Sequence, residues 1–363
     1  MTWIHVYLGG AAGALALSAL LTGVFRRLGA KWDLFDRPDS EAHKGHAASV
    51  PLLGGVAMFA AWLAVLGAGL VVVLLDGGIL GETVGGHLAG VGRVVPELVG
   101  IACGAGLLVV LGAVDDHCHL SAGTKFAGQI AAAVLVVALG VRATFFAEVP
   151  WVPWLGSLLW IVFVINAMNF LDNMDGLAAG VGTVAAVFFA VVAGLREQFF
   201  VATLASVAAG VAAGFLLHNR PPASIFMGDA GSHFLGFLLA CLGVLTTYYE
   251  PSQTPTPAAV LIPFFILAVP ILDLVVVVAA RLRNGKPVYV GDHTHISHRF
   301  EQMGFTRAQS VLLVYALVFA TGASGVFLVW LPPAGVLLAL LQTAAVVAAV
   351  GILQYARRSP PPA

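Results

Sequence analysis

The sequence predicts an all-α, polytopic integral membrane protein with about eleven transmembrane helices, its N-terminus outside and its C-terminus cytoplasmic. Composition is the first reason: the 363 residues are 60% hydrophobic and only 10% charged, where a soluble domain carries roughly a quarter charged residues. The second is length, because apolar runs of about 20 residues, enough to cross the hydrocarbon core, recur along the whole chain. The third is charge placement. With the N-terminus outside, only Arg93, Arg142 and Arg196 fall in the outer loops, and the other 14 of the 17 lysines and arginines fall in the inner loops and tail. That is a strong positive-inside bias, and an odd number of spans agrees with it.

The apolar runs lie at residues 5–25, 52–75, 95–114, 126–142, 151–171, 176–194, 199–217, 231–249, 258–280, 309–331 and 334–356. The first is too long, too rich in Gly and Ala, and too poor in leading basic residues to read as a cleaved signal peptide. Residues 76–94 are Gly-rich and nearly uncharged, a connector with some interfacial helix. The ninth run holds Pro263 and Pro270, which predict a kink. It also holds Asp273, about 12 Å of helix rise from Arg281, inside the apolar region and in need of a protein partner. Whether Asp273 is structural or belongs to a site stays open. The organisation predicted is one transmembrane domain over 1–356 and a short disordered cytoplasmic tail, RRSPPPA, over 357–363. Small residues are abundant enough for the close helix packing of a homodimer.

Carboxylates near a bilayer are costly and tend to mark function. Three groups of them close or open apolar runs on the predicted cytoplasmic side: Asp115-Asp116, Asp172 with Asp175, and Asp229. Adjacent carboxylates repel, which favours a nearby cation. Asp115 and Asp116 also end a helix, where the macrodipole disfavours acids. A Mg²⁺ site or acid–base chemistry is therefore preferred over a merely polar helix terminus. Lys125, in LSAGTKF, either neutralises a substrate phosphate or snorkels at the interface.

Asn166, Asn169, Asp172 and Asp175 recur every three residues, so a helix would carry them as one polar stripe until Gly176 breaks it. Such a stripe faces a cavity or the protein interior. In FMGDAGS (226–232), glycines flanking Asp229 would let backbone approach a phosphate, and the helix that follows favours anions. N-capping by Asp229 or Ser232 explains that segment equally well. The loop GDHTHISHRF (291–300) brings His293, His295, His298 and Arg299. The oxygen-rich acids point to Mg²⁺, with Mn²⁺ as the alternative, rather than Zn²⁺. The histidines and Arg299 are therefore assigned to phosphate recognition. Cys103, Cys118 and Cys241 are scattered and predict no disulfide, and His117-Cys118-His119 is weak as a metal motif. No nucleic-acid partner is expected.

Taken together, DDHCHLSAGTKFAGQ, NAMNFLDNMDGL, FMGDAGSHFLG and the HTHISHR loop resemble the polyprenyl-phosphate N-acetylhexosamine-1-phosphate transferase family. The resemblance covers the chain from DRPD near residue 36 to the histidine loop near 300. Within the family the chain is similar to the bacterial undecaprenyl-phosphate N-acetylglucosamine-1-phosphate transferases. The three consecutive histidines of the muramoyl-pentapeptide enzymes are absent, and VPLLGG replaces their Lys-x-Gly-Thr-Pro-Thr run.

The resemblance implies Mg²⁺-dependent transfer of a sugar-1-phosphate from a UDP-N-acetylhexosamine to a polyprenyl phosphate, with release of UMP. It implies a multi-pass protein of the bacterial cytoplasmic membrane with its site on the cytoplasmic face. By the same resemblance Asp229 is the foremost metal ligand, with Asp172 beside it. Asp115 and Asp116 flank the lipid phosphate, Asp115 being the family's candidate base. Asn169, Asp172 and Asp175 line the nucleotide and metal pocket, and His295, His298 and Arg299 hold the diphosphate sugar. Two departures stand out: Asn173 replaces a common glycine between the paired acids, and Ser297 replaces a common histidine. The alternatives are another UDP-N-acetylhexosamine donor, or a proton- or cation-coupled transporter. Transporter acids, however, lie near the bilayer midplane on broken helices.

Overall fold

With no water to satisfy backbone groups inside a bilayer, long Ala-, Leu- and Val-rich runs must close their hydrogen bonds within helices. The chain does this throughout the computed structural model, which describes residues 2–32, 35–36, 49–75, 81–87, 90–143, 149, 151–250, 252, 254–287 and 294–356. Among these, nine helices are long and apolar enough to span a membrane, or ten if one bent pair counts as a single span. The chain forms two units, Met1–Thr247 and Tyr248–Ala363.

The first unit holds α1 (Trp3–Lys31), β1 (Phe35–Asp36), β2 (Val50–Pro51), α2 (Gly54–Leu74), the short α3 (Gly81–Gly85), α4 (Val91–Cys118), α5 (Ala122–Ala138), α6 (Trp151–Leu171), α7 (Leu177–Leu195), α8 (Phe199–Asn219) and α9 (Gly228–Leu245). Helix α9 is its centre. It packs against α2, α4, α6, α7 and α8, and 83% of its apolar window is buried. Phe234 and Phe237 of α9 are fully buried with Trp62 of α2, Ile165 of α6 and Phe215 of α8. Large apolar side chains such as Leu8, Leu74, Leu107 and Leu159 point outward, as a lipid-facing surface requires.

A short backbone ladder ties the two ends of this unit together. Strands β1 and β2 pair antiparallel, with Phe35 opposite Pro51. The Phe226 amide donates to the Pro51 carbonyl at 2.9 Å, and Gly54 and Gly55 donate to Phe226 and Met227 at 3.0 and 3.1 Å. The VPLLGG segment thus lies directly against FMGDAGS.

The second unit contains a 3₁₀ turn (Pro257–Leu261), α10 (Ile262–Ile266), α11 (Ala268–Arg283), α12 (Ile296–Gln302), α13 (Arg307–Phe327) and α14 (Pro333–Ala356). Helix α13 contacts α10, α11, α12 and α14. It starts from a capping box in which Thr306 Oγ1 accepts the Gln309 amide and Gln309 Oε1 accepts the Thr306 amide.

All eleven predicted runs fall on helices, with two corrections. The fourth, α5, is a 17-residue apolar helix that starts at the Ser121 cap, shorter than the spanning length. The ninth is not one kinked helix: α10 and α11 meet at a 71° bend. Pro263 lies in the first turn of α10 and Pro270 in the first turn of α11. In a first turn a missing N–H costs no intrahelical bond. The predicted tail 357–363 lies outside the described residues.

Candidate active site

Helix α4 runs on through Asp115 and Asp116 to Cys118, so both acids sit in the last turn against the dipole. Each finds compensation outside its own helix. Asp115 is buried; its Oδ1 accepts the Leu120 amide at 2.7 Å and its Oδ2 accepts the Lys125 ammonium at 2.9 Å. Asp116 Oδ1 accepts the Asp229 amide at 2.8 Å. That places a carboxylate on the N-terminus of α9, where orphan amides and the dipole favour it. Neither Asp229 nor Ser232 caps α9: the helix already starts at Gly228, with no side-chain cap from its own N-cap residue Met227. The cap comes from Asp116.

Asp229 is held from two sides. Its Oδ1 accepts Asn169 Nδ2 at 2.9 Å and its Oδ2 accepts Lys125 Nζ at 3.0 Å. One ammonium therefore bridges the end of α4 and the start of α9, bonded to both acids instead of only snorkelling at the interface. Asn169 Nδ2 also donates to Ser232 Oγ at 2.9 Å, which fixes the amide's orientation.

The predicted polar stripe is only half helical. Helix α6 stops at Leu171, and Asp172 and Asp175 lie in the turn that leads to Gly176. Gly176 takes a left-handed φ of 76° and begins α7. Asp175 Oδ2 accepts the Ala223 amide at 2.9 Å, which ties this turn to the segment before α9. Asn219 reinforces the tie by accepting the Gly176 amide at 2.9 Å and donating to the Ile225 carbonyl at 2.9 Å. Asp172 is half-buried, and among the described residues no hydrogen bond reaches its carboxylate. Burial, then the charge of Asp229, then that of Asp175, push its carboxyl up to about 7.

Asn166 belongs to a different network. Its Nδ2 donates to Gln129 Oε1 at 2.6 Å and to the Val162 carbonyl at 2.7 Å. Gln129 Nε2 in turn lies 3.3 Å from His233 Nε2. Gln129 and His233 are both buried, and sequence reasoning missed them. The available signal was spacing: Gln129 follows Lys125, and His233 follows Asp229, by one helical turn on the same face. Beside Asn166 opens a cavity of about 560 Å³, lined mainly by Phe126, Leu159, Trp160 and Phe163.

The histidine loop lies in the second unit. His295 is the N-cap residue of α12. Its Nδ1 lies 2.7 Å from Asp273 Oδ2, and the Ile296 amide donates to Asp273 Oδ1 at 2.7 Å. Asp273 thus has the protein partner that its apolar setting demands. His298 Nδ1 lies 3.1 Å from Glu301, which also accepts Arg307 Nε at 3.1 Å. Arg299 is buried in the same helix. His293 lies outside the described residues.

The donor set of the first unit fits a hard divalent cation. Every acid is an oxygen donor, Lys125 is the one ammonium bonded to them among the described residues, and Asp172 is an unbonded carboxylate beside two others. Among those residues, no three His, Cys, Asp or Glu side chains form a closed cage. Mg²⁺ takes one or two carboxylates and completes its shell with water and substrate phosphate.

A model described as glycosyl transferase family 4 matches residues 98–247, which include Asp115, Asp116, Lys125, Asn169, Asp172, Asp175 and Asp229. The chain is 31% identical to the probable undecaprenyl-phosphate N-acetylglucosaminyl 1-phosphate transferase of Bacillus subtilis (strain 168), over 86% of this chain and 83% of that protein. It is also 31% identical to the decaprenyl-phosphate N-acetylglucosaminephosphotransferase of Mycobacterium tuberculosis (strain ATCC 25618 / H37Rv), over 85% and 80% of the two chains. It is 28% identical to the phospho-N-acetylmuramoyl-pentapeptide-transferase of Mycobacterium sp. (strain KMS), over 89% and 97%.

Proposed function

The chain belongs to glycosyl transferase family 4, and from that membership we propose that it transfers N-acetylglucosamine-1-phosphate from a UDP-sugar to a polyprenyl phosphate, releasing UMP. The observation that carries this reading is the Lys125 ammonium shared between Asp115 and Asp229 beside the unbonded Asp172. Such a site is built to neutralise phosphate groups and hold a cation.

In the reaction, an oxygen of the lipid phosphate bonds to the β-phosphorus of the donor. The bond from that phosphorus to the bridging oxygen breaks, and UMP leaves with that oxygen. A lipid phosphate resembling phosphoserine has a second pKa of about 6, so at neutral pH it is largely dianionic and needs no general base. Asp115 takes the Leu120 amide on one oxygen and Lys125 on the other, and so holds the ammonium beside the attacking lipid phosphate. Phosphoryl transfer asks mainly for positioning and charge neutralisation.

Lys125 supplies positive charge to the acceptor phosphate. Asp116 orients Asp229 through its amide, Asn169 holds the Asp229 carboxylate, and Asp175 fixes the turn that carries Asp172. Asp229 and Asp172 would hold Mg²⁺, or Mn²⁺, together with the donor diphosphate. The cation would supply charge neutralisation there. In the second unit, His295, His298 and Arg299, with His293, are assigned to phosphate recognition. The apolar cavity beside Asn166 suits the first isoprene units of the acceptor. Identity of 31% to two N-acetylglucosamine phosphate transferases supports that sugar over a muramoyl pentapeptide. The excess of Lys and Arg in alternate loops supports a cytoplasmic site.

The test is UMP release by purified protein from UDP-N-acetylglucosamine and undecaprenyl phosphate. UMP is expected only when lipid and Mg²⁺ are both present. No UMP from any UDP-N-acetylhexosamine, with folded protein and both ligands supplied, would overturn the reading.

A further inference from the structure

Beneath the carboxylates of the first unit lies a second polar network that takes no part in the transfer. Two hydrogen-bonded pairs join α5 to α9 among the described residues: Lys125 with Asp229 at 3.0 Å, and Gln129 with His233 at 3.3 Å. Each member of the second pair stands four residues beyond its counterpart in the first, so the lower pair repeats the upper about 6 Å further along both helices. Helix α6 serves both levels, Asn169 bonding to Asp229 and Asn166 to Gln129. The lower level is closed to solvent at its centre, with Gln129 2% and His233 1% exposed. Its direction is fixed from one end. The Val162 carbonyl only accepts, so Asn166 turns Nδ2 to it at 2.7 Å and offers the same nitrogen to Gln129 Oε1 at 2.6 Å. Gln129 is left with Nε2 toward the ring, and His233 Nε2 receives it as an acceptor. The ring's other nitrogen, Nδ1, is buried and makes no hydrogen bond among the described residues. A buried N–H left unpaired is costly, so what the imidazole contributes is the one bond from Gln129.

We propose that Gln129 and His233 are positioning residues for Lys125, a lower latch that holds α5 in register with α9 so that the ammonium reaches both Asp115 and Asp229. A lysine side chain is a flexible four-carbon stem, and fixing it on two acids costs rotamer freedom. Its reach is defined only if the backbone it grows from is held. The latch holds that backbone one turn below, where the chain of amides from Val162 through Asn166 and Gln129 ends on His233. Without it, the Lys125–Asp229 pair is the hydrogen bond left between α5 and α9 among the described residues, and it must set the register as well as place the charge. The kinetic consequence rests on the reading of Lys125 as the charge that meets the acceptor phosphate; the placement of the ammonium is measurable without it.

Acetic anhydride acetylates amines, and an ammonium bonded to two carboxylates reacts slowly. Lys31 and Lys286, both exposed, serve as references in the same molecule. By peptide mass spectrometry of the purified protein, Lys125 should be acetylated about fivefold faster against those references in Gln129→Met and in His233→Leu than in the parent, the weight of one hydrogen bond. The double variant should react no faster than either single one. His233→Gln, which keeps an acceptor oxygen near the place of Nε2, should stay at the parent rate. In the UMP assay the two apolar variants should raise the KM for undecaprenyl phosphate and leave that for UDP-N-acetylglucosamine unchanged. Val136→Ala opens a cavity elsewhere in the buried face of α5 and reports general loosening. Parent-like acetylation of Lys125 in the two apolar variants, additive rises, or an equal rise in Val136→Ala or His233→Gln would each overturn the latch. Faster acetylation with an unchanged acceptor KM would uphold the latch and remove Lys125 from the acceptor phosphate. Should His233→Leu not fold, Gln129→Met removes the same bond from its other end.

Discussion

Asp172 is where burial and charge meet most directly. Its carboxyl is pushed up to about 7 by burial and by the charges of Asp229 and Asp175, so below that pH it carries a proton in the cation-free protein. A protonated carboxyl is a poor ligand, and binding of a cation must drive the proton off. Affinity for Mg²⁺ should therefore fall as pH falls through about 7. Between about pH 8 and about pH 6 the apparent KM for Mg²⁺ should rise about tenfold, as the ionised fraction drops. Titrating Mg²⁺ in the UMP assay at the two pH values checks this, and an unchanged KM would remove Asp172 from the cation. The residue types were legible in sequence because carboxylates are rare in such apolar chains. Their partners were not. Lys125 and Asp229 are 104 residues apart, as are Gln129 and His233, and no local pattern reports such a contact.

At the level of helices, the site depends on how closely α4 approaches α9. A Cβ at Gly112 would collide with the backbone of Ala230 and Asp229, so only glycine lets the end of α4 lie on the first turn of α9. That approach is what carries Asp116 to the Asp229 amide. Gly112→Val should force the helices apart, destabilise the protein by about 1–3 kcal/mol or more and lose most turnover. Gly92→Ala, on the same helix with open space around it, should be silent in both respects. Thermal melting in detergent alongside the UMP assay checks the pair, and equal behaviour of the two variants would show that the close approach is dispensable. Sequence reading located the helices because an apolar run of spanning length has few other outcomes. It misplaced their ends where tertiary contacts decide them. Helix α6 stops at Leu171, before the glycine that was expected to break it, because Asp175 and Asn219 bind the turn to the segment before α9. Helix α9 starts three residues early because its cap is supplied from α4.

For the molecule as a whole, the functional reading stands or falls with orientation, since a UDP-sugar is made in the cytoplasm and Asp115, Asp116, Asp172 and Asp229 must face it. The uneven distribution of lysine and arginine predicts that orientation, and the native cysteines provide a direct probe. Cys118 is exposed at the end of α4, two residues beyond Asp116. Cys103 is exposed halfway along the same apolar helix, where lipid shields it from a charged reagent, and Cys241 is buried in α9. A membrane-impermeant maleimide should therefore report Cys118 alone. Inverted membrane vesicles should be labelled and right-side-out vesicles should not, and Cys118→Ser should abolish the signal. Labelling confined to right-side-out vesicles would reverse the topology and leave the carboxylate cluster facing away from any nucleotide sugar. Such a result would contradict the transferase reading at its base, however well the individual side chains fit a phosphate.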